Sequence, residues 1–122
     1  MGQTRKRFAS ISAFWLATTP AQADPADIVA AEATETAGGW HFEVTILHPE
    51  TGWDDYADGW RVEAPDGTVL GTRVLTHPHV TEQPFTRSLS GVTIPDDLDR
   101  VAIRSRTSVE GWGTETLLLP LR

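Results

Sequence analysis

Apolar and polar residues alternate along most of the chain. Trp40, Phe42, Val44 and Ile46 fall on one side of an extended segment and His41, Glu43 and Thr45 on the other. That is the period of two of a half-buried strand. Trp60, Val62 and Ala64 alternate with Arg61 and Glu63 in the same way. Pro65-Asp66-Gly67 follows as a turn: Pro presets φ, Asp bonds its own backbone and Gly takes a left-handed position. Thr68 to Leu75 is then the hairpin partner. Phe85 to Ile94 is a further strand with a bulge expected at Gly91, closed by Pro95-Asp96-Asp97. Arg100 to Ser105 sends Val101 and Ile103 inward, and Glu115 to Leu121 ends the chain with Leu117 and Leu119 facing the core. Ile28 to Thr36 is a weaker pattern, made a hairpin partner of the Trp40 strand by Ala37-Gly38-Gly39. No segment keeps a helical period over three turns.

Seven short strands separated by turns predict an all-β fold, a seven-stranded antiparallel β-sandwich. The order is similar to the immunoglobulin and fibronectin type III pattern, with a small closed barrel as the alternative. In an antiparallel chain successive connections alternate between the two ends of the sheets. One end receives three short Gly- or Pro-containing turns. The other receives the segments holding His48, Glu50, Trp53, Asp54, Asp55, Tyr56 and Asp58, then His77, His79, Glu82 and Gln83, then Glu110 and Trp112. Chemically rich loops on a rigid scaffold are where binding residues tend to sit, so this end is the expected functional one.

Residues 1–23 have the form of a cleavable export signal. Arg5, Lys6 and Arg7 are basic, Phe8 to Ala17 is apolar but too short to span a bilayer, and Ala21-Gln22-Ala23 offers small residues for cleavage before Asp24. The expected address is the periplasm or the exterior, with residues 24–122 as one domain and Asp24 to Asp27 as a loose tail. Thr4-Arg5-Lys6-Arg7-Phe8 also has a faint likeness to a twin-arginine signal, so the export route stays open. The signal holds three of the ten basic residues and none of the 17 acidic ones, which leaves 7 against 17 and a net charge of −10. Every base that remains is Arg. Nucleic acid and anionic lipid need a basic footprint and are poor partners for such a chain. There is no cysteine, so packing alone must hold the core, and thiolate-ligated metals and thiol chemistry are excluded.

His77-Pro78-His79 is the sharpest local motif. In an extended segment positions i and i+2 project to one side, roughly 6–7 Å apart at the backbone, and Pro78 disfavours helix at His77. Two such imidazoles can chelate copper or zinc, with Glu82 or His48 as a third ligand. His41 lies about 23 Å from His48 along an extended strand and is out of reach. The alternative is that both histidines bond backbone groups around Pro78 and Pro84. Trp53 to Gly59 carries several carboxylates, but its register does not match a calcium loop. Trp53, Tyr56 and Trp112 either line a groove for a ligand or protein partner, or Tyr56 or Trp112 plugs the open end of the core.

No nucleophile elbow, phosphate loop or dinucleotide fingerprint occurs, and Gly111-Trp112-Gly113 reads as a turn. From Trp60 to Leu75, and through the string H-P-H-x-x-E-Q-P-F-T-R-S-L at His77 to Leu89, the chain resembles a group of small exported proteobacterial proteins over roughly residues 40–122. The resemblance implies an exported β-domain and brings no catalytic residue. The expected function is a non-enzymatic binding or accessory module using the loop end that carries His48, His77, His79 and Trp112. The alternative is a periplasmic copper or zinc protein using His77 and His79.

Overall fold

A computed structural model describes residues 24–122, so the expected export signal lies outside the described residues. The described chain is all β: β1 (Asp27–Thr36), β2 (Gly39–Leu47), β3 (Ala57–Glu63), β4 (Val69–Val74), β5 (Phe85–Val92), β6 (Arg100–Thr107), β7 (Gly111–Trp112) and β8 (Leu117–Pro120). They form two antiparallel sheets that do not close into a barrel. One has the order β1-β2-β5, the other β4-β3-β6-β7, with β8 also paired to β6.

Alternation sets the core. Trp40, Phe42, Val44 and Ile46 of the first sheet and Trp60, Val62, Val101 and Ile103 of the second are all buried in one cluster, with Phe85, Val92 and Ile94. Burying such side chains stabilises by about 1.5–3 kcal/mol each before conformational entropy is set against it. At Gly71 β4 lies close against β5, so that a Cβ would stand 3.1 Å from Leu89 and 3.2 Å from Val92. A larger residue there would require the Leu89 and Val92 side chains to give way by a few tenths of an ångström.

The turns follow their chemistry. Gly67 takes φ +92° in the β3–β4 turn, where Thr68 N–H donates to Asp66 Oδ1 at 3.0 Å. Gly91 takes φ +72° where the β2–β5 register slips, as a bulge requires. Three expectations need correction. Gly111-Trp112 is a short strand on β6 rather than a turn, so the described residues form eight strands where seven were expected. β6 continues past Ser105 to Thr107. Asp24 to Ala26 is not loose: His48 bonds the Asp24 carbonyl and Ser105 bonds the Ala26 carbonyl.

Candidate functional site

The long connections do meet at one end. Residues 48–56 join β2 to β3, residues 75–84 join β4 to β5, and residues 108–110 join β6 to β7. His48 N–H donates to Gln83 Oε1 at 2.9 Å and Gln83 Nε2 donates back to the His79 carbonyl at 2.9 Å. Tyr56 and Ser108 exchange bonds of 3.0 and 2.9 Å, which ties the third connection to the first. The end divides into two regions of different character.

The first is a buried polar knot centred on Glu50. Its Oε2 accepts from Ala57 N–H at 2.8 Å and faces His48 Nδ1 at 3.1 Å, while its Oε1 accepts from His79 N–H at 2.6 Å. The other ring nitrogen of His48 faces the Asp24 carbonyl at 3.0 Å and Asp55 Oδ1 at 3.6 Å. These facing atoms are oxygens of carboxylates and a carbonyl. The Asp24 carbonyl can only accept, so Nε2 carries a hydrogen, and Nδ1 and Glu50 hold one hydrogen between them. The ring is fully buried, and a charge in that position is tolerable only beside its counter-ion.

His79 is the opposite case. Arg87 NH2 donates to its Nε2 at 2.8 Å, which leaves the hydrogen of a neutral ring on Nδ1, 4.0 Å from Glu50 Oε1 and without a hydrogen-bond partner. Its ring stacks on Phe85 with centroids 3.9 Å apart. Burial, then the Arg87 charge, then His77, hold its pKa below the ordinary 6.5. The unfolded chain therefore binds the proton more readily than the native one. His79 contributes its full stability above about pH 6.5, and this contribution falls as the pH drops from there towards the depressed native value. Urea midpoints between pH 7.5 and 5 are expected to fall, and His79→Gln should flatten that slope.

The candidate metal residues fall in different settings. His77 is exposed and its ring lies 4.6 Å from that of His79, while Glu82 is exposed and 3.4 Å from Arg87. His48 is locked in the knot. Among the described residues no three His, Asp or Glu side chains gather as an ion site, and the Nε2 of His79 is already taken by a guanidinium.

The second region is aromatic and solvent-facing. Trp53 is 66% exposed and leans edge-on against Tyr56, with centroids 5.5 Å apart. Tyr56 and Trp112 line one cleft of about 420 Å³ with Asp58, Thr72, Arg73 and Arg106. Neither Tyr56 nor Trp112 plugs the core; the knot occupies that end. Trp112 lies on the outer face of the second sheet, with the Arg61 guanidinium 4.1 Å from its ring centroid and that of Arg106 at 5.7 Å.

Beside it is a group the sequence reading did not single out. Glu63, 3% exposed, accepts from Arg61 Nε at 2.6 Å and from Arg104 at 2.8 and 3.2 Å. The hydrogen bond from Arg104, with Arg61 adding to it against the cost of burial, keeps its pKa below the usual carboxylate value. The signal was present: Arg61 and Glu63 share a strand face, as do Arg104 and Arg106. Only the pairing of Arg61 opposite Arg104 makes them one cluster.

No family model matches the chain and no solved structure matches it. A protein of the archaeon Halomicrobium mukohataei, described as a "Putative lipoprotein", is 38% identical over 87 residues. These cover 70% of this chain and 42% of that protein, so the chain spans less than half the length of this relative.

Proposed function

We propose that the chain is an exported, non-enzymatic binding module that meets its partner through Trp53, Tyr56 and Trp112. The sheet orders β1-β2-β5 and β4-β3-β6-β7 support a β-sandwich of the fibronectin type III kind, in which they correspond to strands A-B-E and C′-C-F-G. Export draws support from the form of residues 1–23 and from the description of the archaeal relative.

The observation that carries the binding reading is the division of labour at the loop end. The buried histidines are consumed in holding the loops, whereas the exposed Trp53 leans on the half-buried Tyr56, which lines an open cleft together with the half-buried Trp112. Aromatics give contact area at low entropy cost and dominate many recognition surfaces.

Two measurements test it. N-terminal sequencing of protein recovered outside the cytoplasm is expected to begin at Asp24; recovery with Met1 intact would remove the export part. A photo-reactive residue at position 53 is expected to give a discrete adduct in the producing cell that is absent when the same group stands at position 118. Equal labelling from both positions would remove the binding part.

A second reading, copper or zinc on His77 and His79, draws on their 4.6 Å ring separation. It requires Arg87 to leave His79. A 1:1 calorimetric isotherm for Cu²⁺ that is tightened by Arg87→Ala and abolished by His77→Ala would support it. Weak binding indifferent to both substitutions would remove it.

A further inference from the structure

One side of the two-sheet stack is open, between β1 of the first sheet and β8 of the second. β1 approaches β6 and β8 along it. It is tied at its start by the bond from Ser105 to the Ala26 carbonyl and near its end by Arg122, 3.9 Å from Glu35. β1 is the outermost strand of its sheet, so its second edge is unpaired, and its register on β2 is unbroken from Ala30 to Thr36. Ala31 and Ala33, paired with the buried Val44 and Phe42, are small and only half-buried, as are Leu117, Leu119 and Leu121. The other outer strand of this sheet, β5, is in a different position: Arg73 of β4 reaches over to the Ser88 carbonyl at 3.0 Å. β8 is a poor template, being four residues long and ending on Pro120, which has no N–H to offer.

An unpaired edge of this kind is a template for another strand, and its charges select which. On the outer face Glu32 stands directly opposite Glu43, where like charges repel. Asp27 and Glu115 line a cleft of about 450 Å³ at the start of β1. Among the described residues Asp27, Glu32 and Glu115 make no ion pair, whereas every arginine already faces a carboxylate or carbonyl oxygen. Edge charges also serve to keep strands apart, and here they exclude one partner in particular. A second copy would bring its own Asp27, Glu32 and Glu35 to the same edge, with a further charge of −10. A basic strand would be attracted by the same groups.

From the free edge and its charges we propose that β1 takes up an extended, basic segment of a partner protein as an added strand. Main-chain hydrogen bonds to β1 hold the segment, and the alternation of its side chains sets the specificity. Apolar residues turn inward over Ala31, Ala33 and Leu119. Basic residues turn outward beside Glu32, where they offset its repulsion with Glu43. This surface goes beyond the reading of Trp53, Tyr56 and Trp112 and does not depend on it.

The test uses residues 24–122 and a capped peptide of alternating valine and arginine, about eight residues long to match β1 at roughly 3.3 Å per residue. One control peptide has glutamate in place of every arginine; the other keeps the arginines and is N-methylated along its backbone. In NMR titration the arginine peptide is expected to shift the amides of Ala30 to Thr36 and to protect those facing away from β2 from hydrogen exchange. Both controls should bind at least about tenfold more weakly, the first for want of charge and the second for want of backbone donors. Glu32→Gln combined with Glu43→Gln should weaken the arginine peptide by about three- to tenfold, the scale of two exposed charge pairs, with the unfolding midpoint unchanged or raised.

Equal binding of the glutamate peptide would overturn the choice of a basic partner. Equal binding of the N-methylated peptide, or shifts that fall outside β1, would overturn the added strand. A dimer of the domain alone that protects the same amides, seen by sedimentation at the concentration used for NMR, would make the occupant a second copy and overturn the proposal.

Discussion

Glu50→Gln is expected to lower the unfolding free energy by about 3–5 kcal/mol, the range found when one partner of a buried charge pair is removed. Each Glu50 oxygen accepts a backbone N–H, from Ala57 on one side and His79 on the other. A glutamine amide has only one oxygen, so either orientation sets its NH2 against one of those donors. The same substitution strips the fully buried His48 of its carboxylate. A domain of this size has about 5–15 kcal/mol in total, and each kcal/mol is worth about 4–8 °C in Tm. Residues 24–122 carrying Glu50→Gln should therefore melt lower by at least ~12 °C or fail to accumulate. Glu82→Gln, a change at an exposed position, should stay within about 0.5 kcal/mol of the unaltered domain. A Tm within a few degrees of the unaltered domain for Glu50→Gln would mean that the knot does not hold the loop end.

The second large effect is expected at Glu63. Its carboxylate takes three hydrogen bonds from two guanidinium groups and is itself almost inaccessible. Hydrogen bonds to charged groups are worth about 1.5–3 kcal/mol each. Arg61 and Arg104 are each about a quarter exposed and can recover water when the carboxylate is lost, so the expected cost of Glu63→Gln is about 2–3 kcal/mol in total. The pH signature separates this from a packing defect. Because the native pKa of Glu63 is depressed, its contribution is complete above the ordinary value near 4.5 and is lost as the pH falls through the native value. Urea midpoints of the unaltered domain should drop along that acid limb, and those of Glu63→Gln should drop less. Parallel limbs would show that the two arginines do not stabilise the ionised form.

Much of the fold was legible because it is dictated locally. The period of two in Trp40 to Ile46 and in Trp60 to Ala64 places the same side chains inward in the structure. Asp66-Gly67 and Gly91 carry their conformations in their residue types. The parity of an antiparallel chain brought His48, Tyr56, His79 and Glu110 to one end without reference to any contact. Gly111-Trp112 was misread because a two-residue strand has no period: it exists only because β6 presents Arg106 and Thr107 as a template beside it.

The candidate site was less legible, and the reason is geometric. His77-Pro78-His79 looks like a chelating pair when only chain spacing is considered. Chain spacing does not say that Arg87, eight residues further on, returns along β5 to cap the Nε2 of His79. Glu50 looked like one acidic residue among many. Its importance comes from two backbone N–H groups and an imidazole that approach from distances of 29, 7 and 2 residues along the chain.

The sequence by itself determined every strand but β7, the inward faces of the Trp40, Trp60 and Val101 strands and the gathering of the long connections at one end, because periodicity, turn chemistry and antiparallel parity are properties of neighbours along the chain. Tertiary structure alone decided which polar residues at that end became internal scaffolding and which remained open to solvent. Hydrogen-bond partners and burial depend on side chains brought together from separate strands. Thus His48, Glu50 and His79 are used up in the knot, while Tyr56, Asp58 and Trp112, drawn from β3 and its flanks and from β7, meet around a cleft that no stretch of sequence contains.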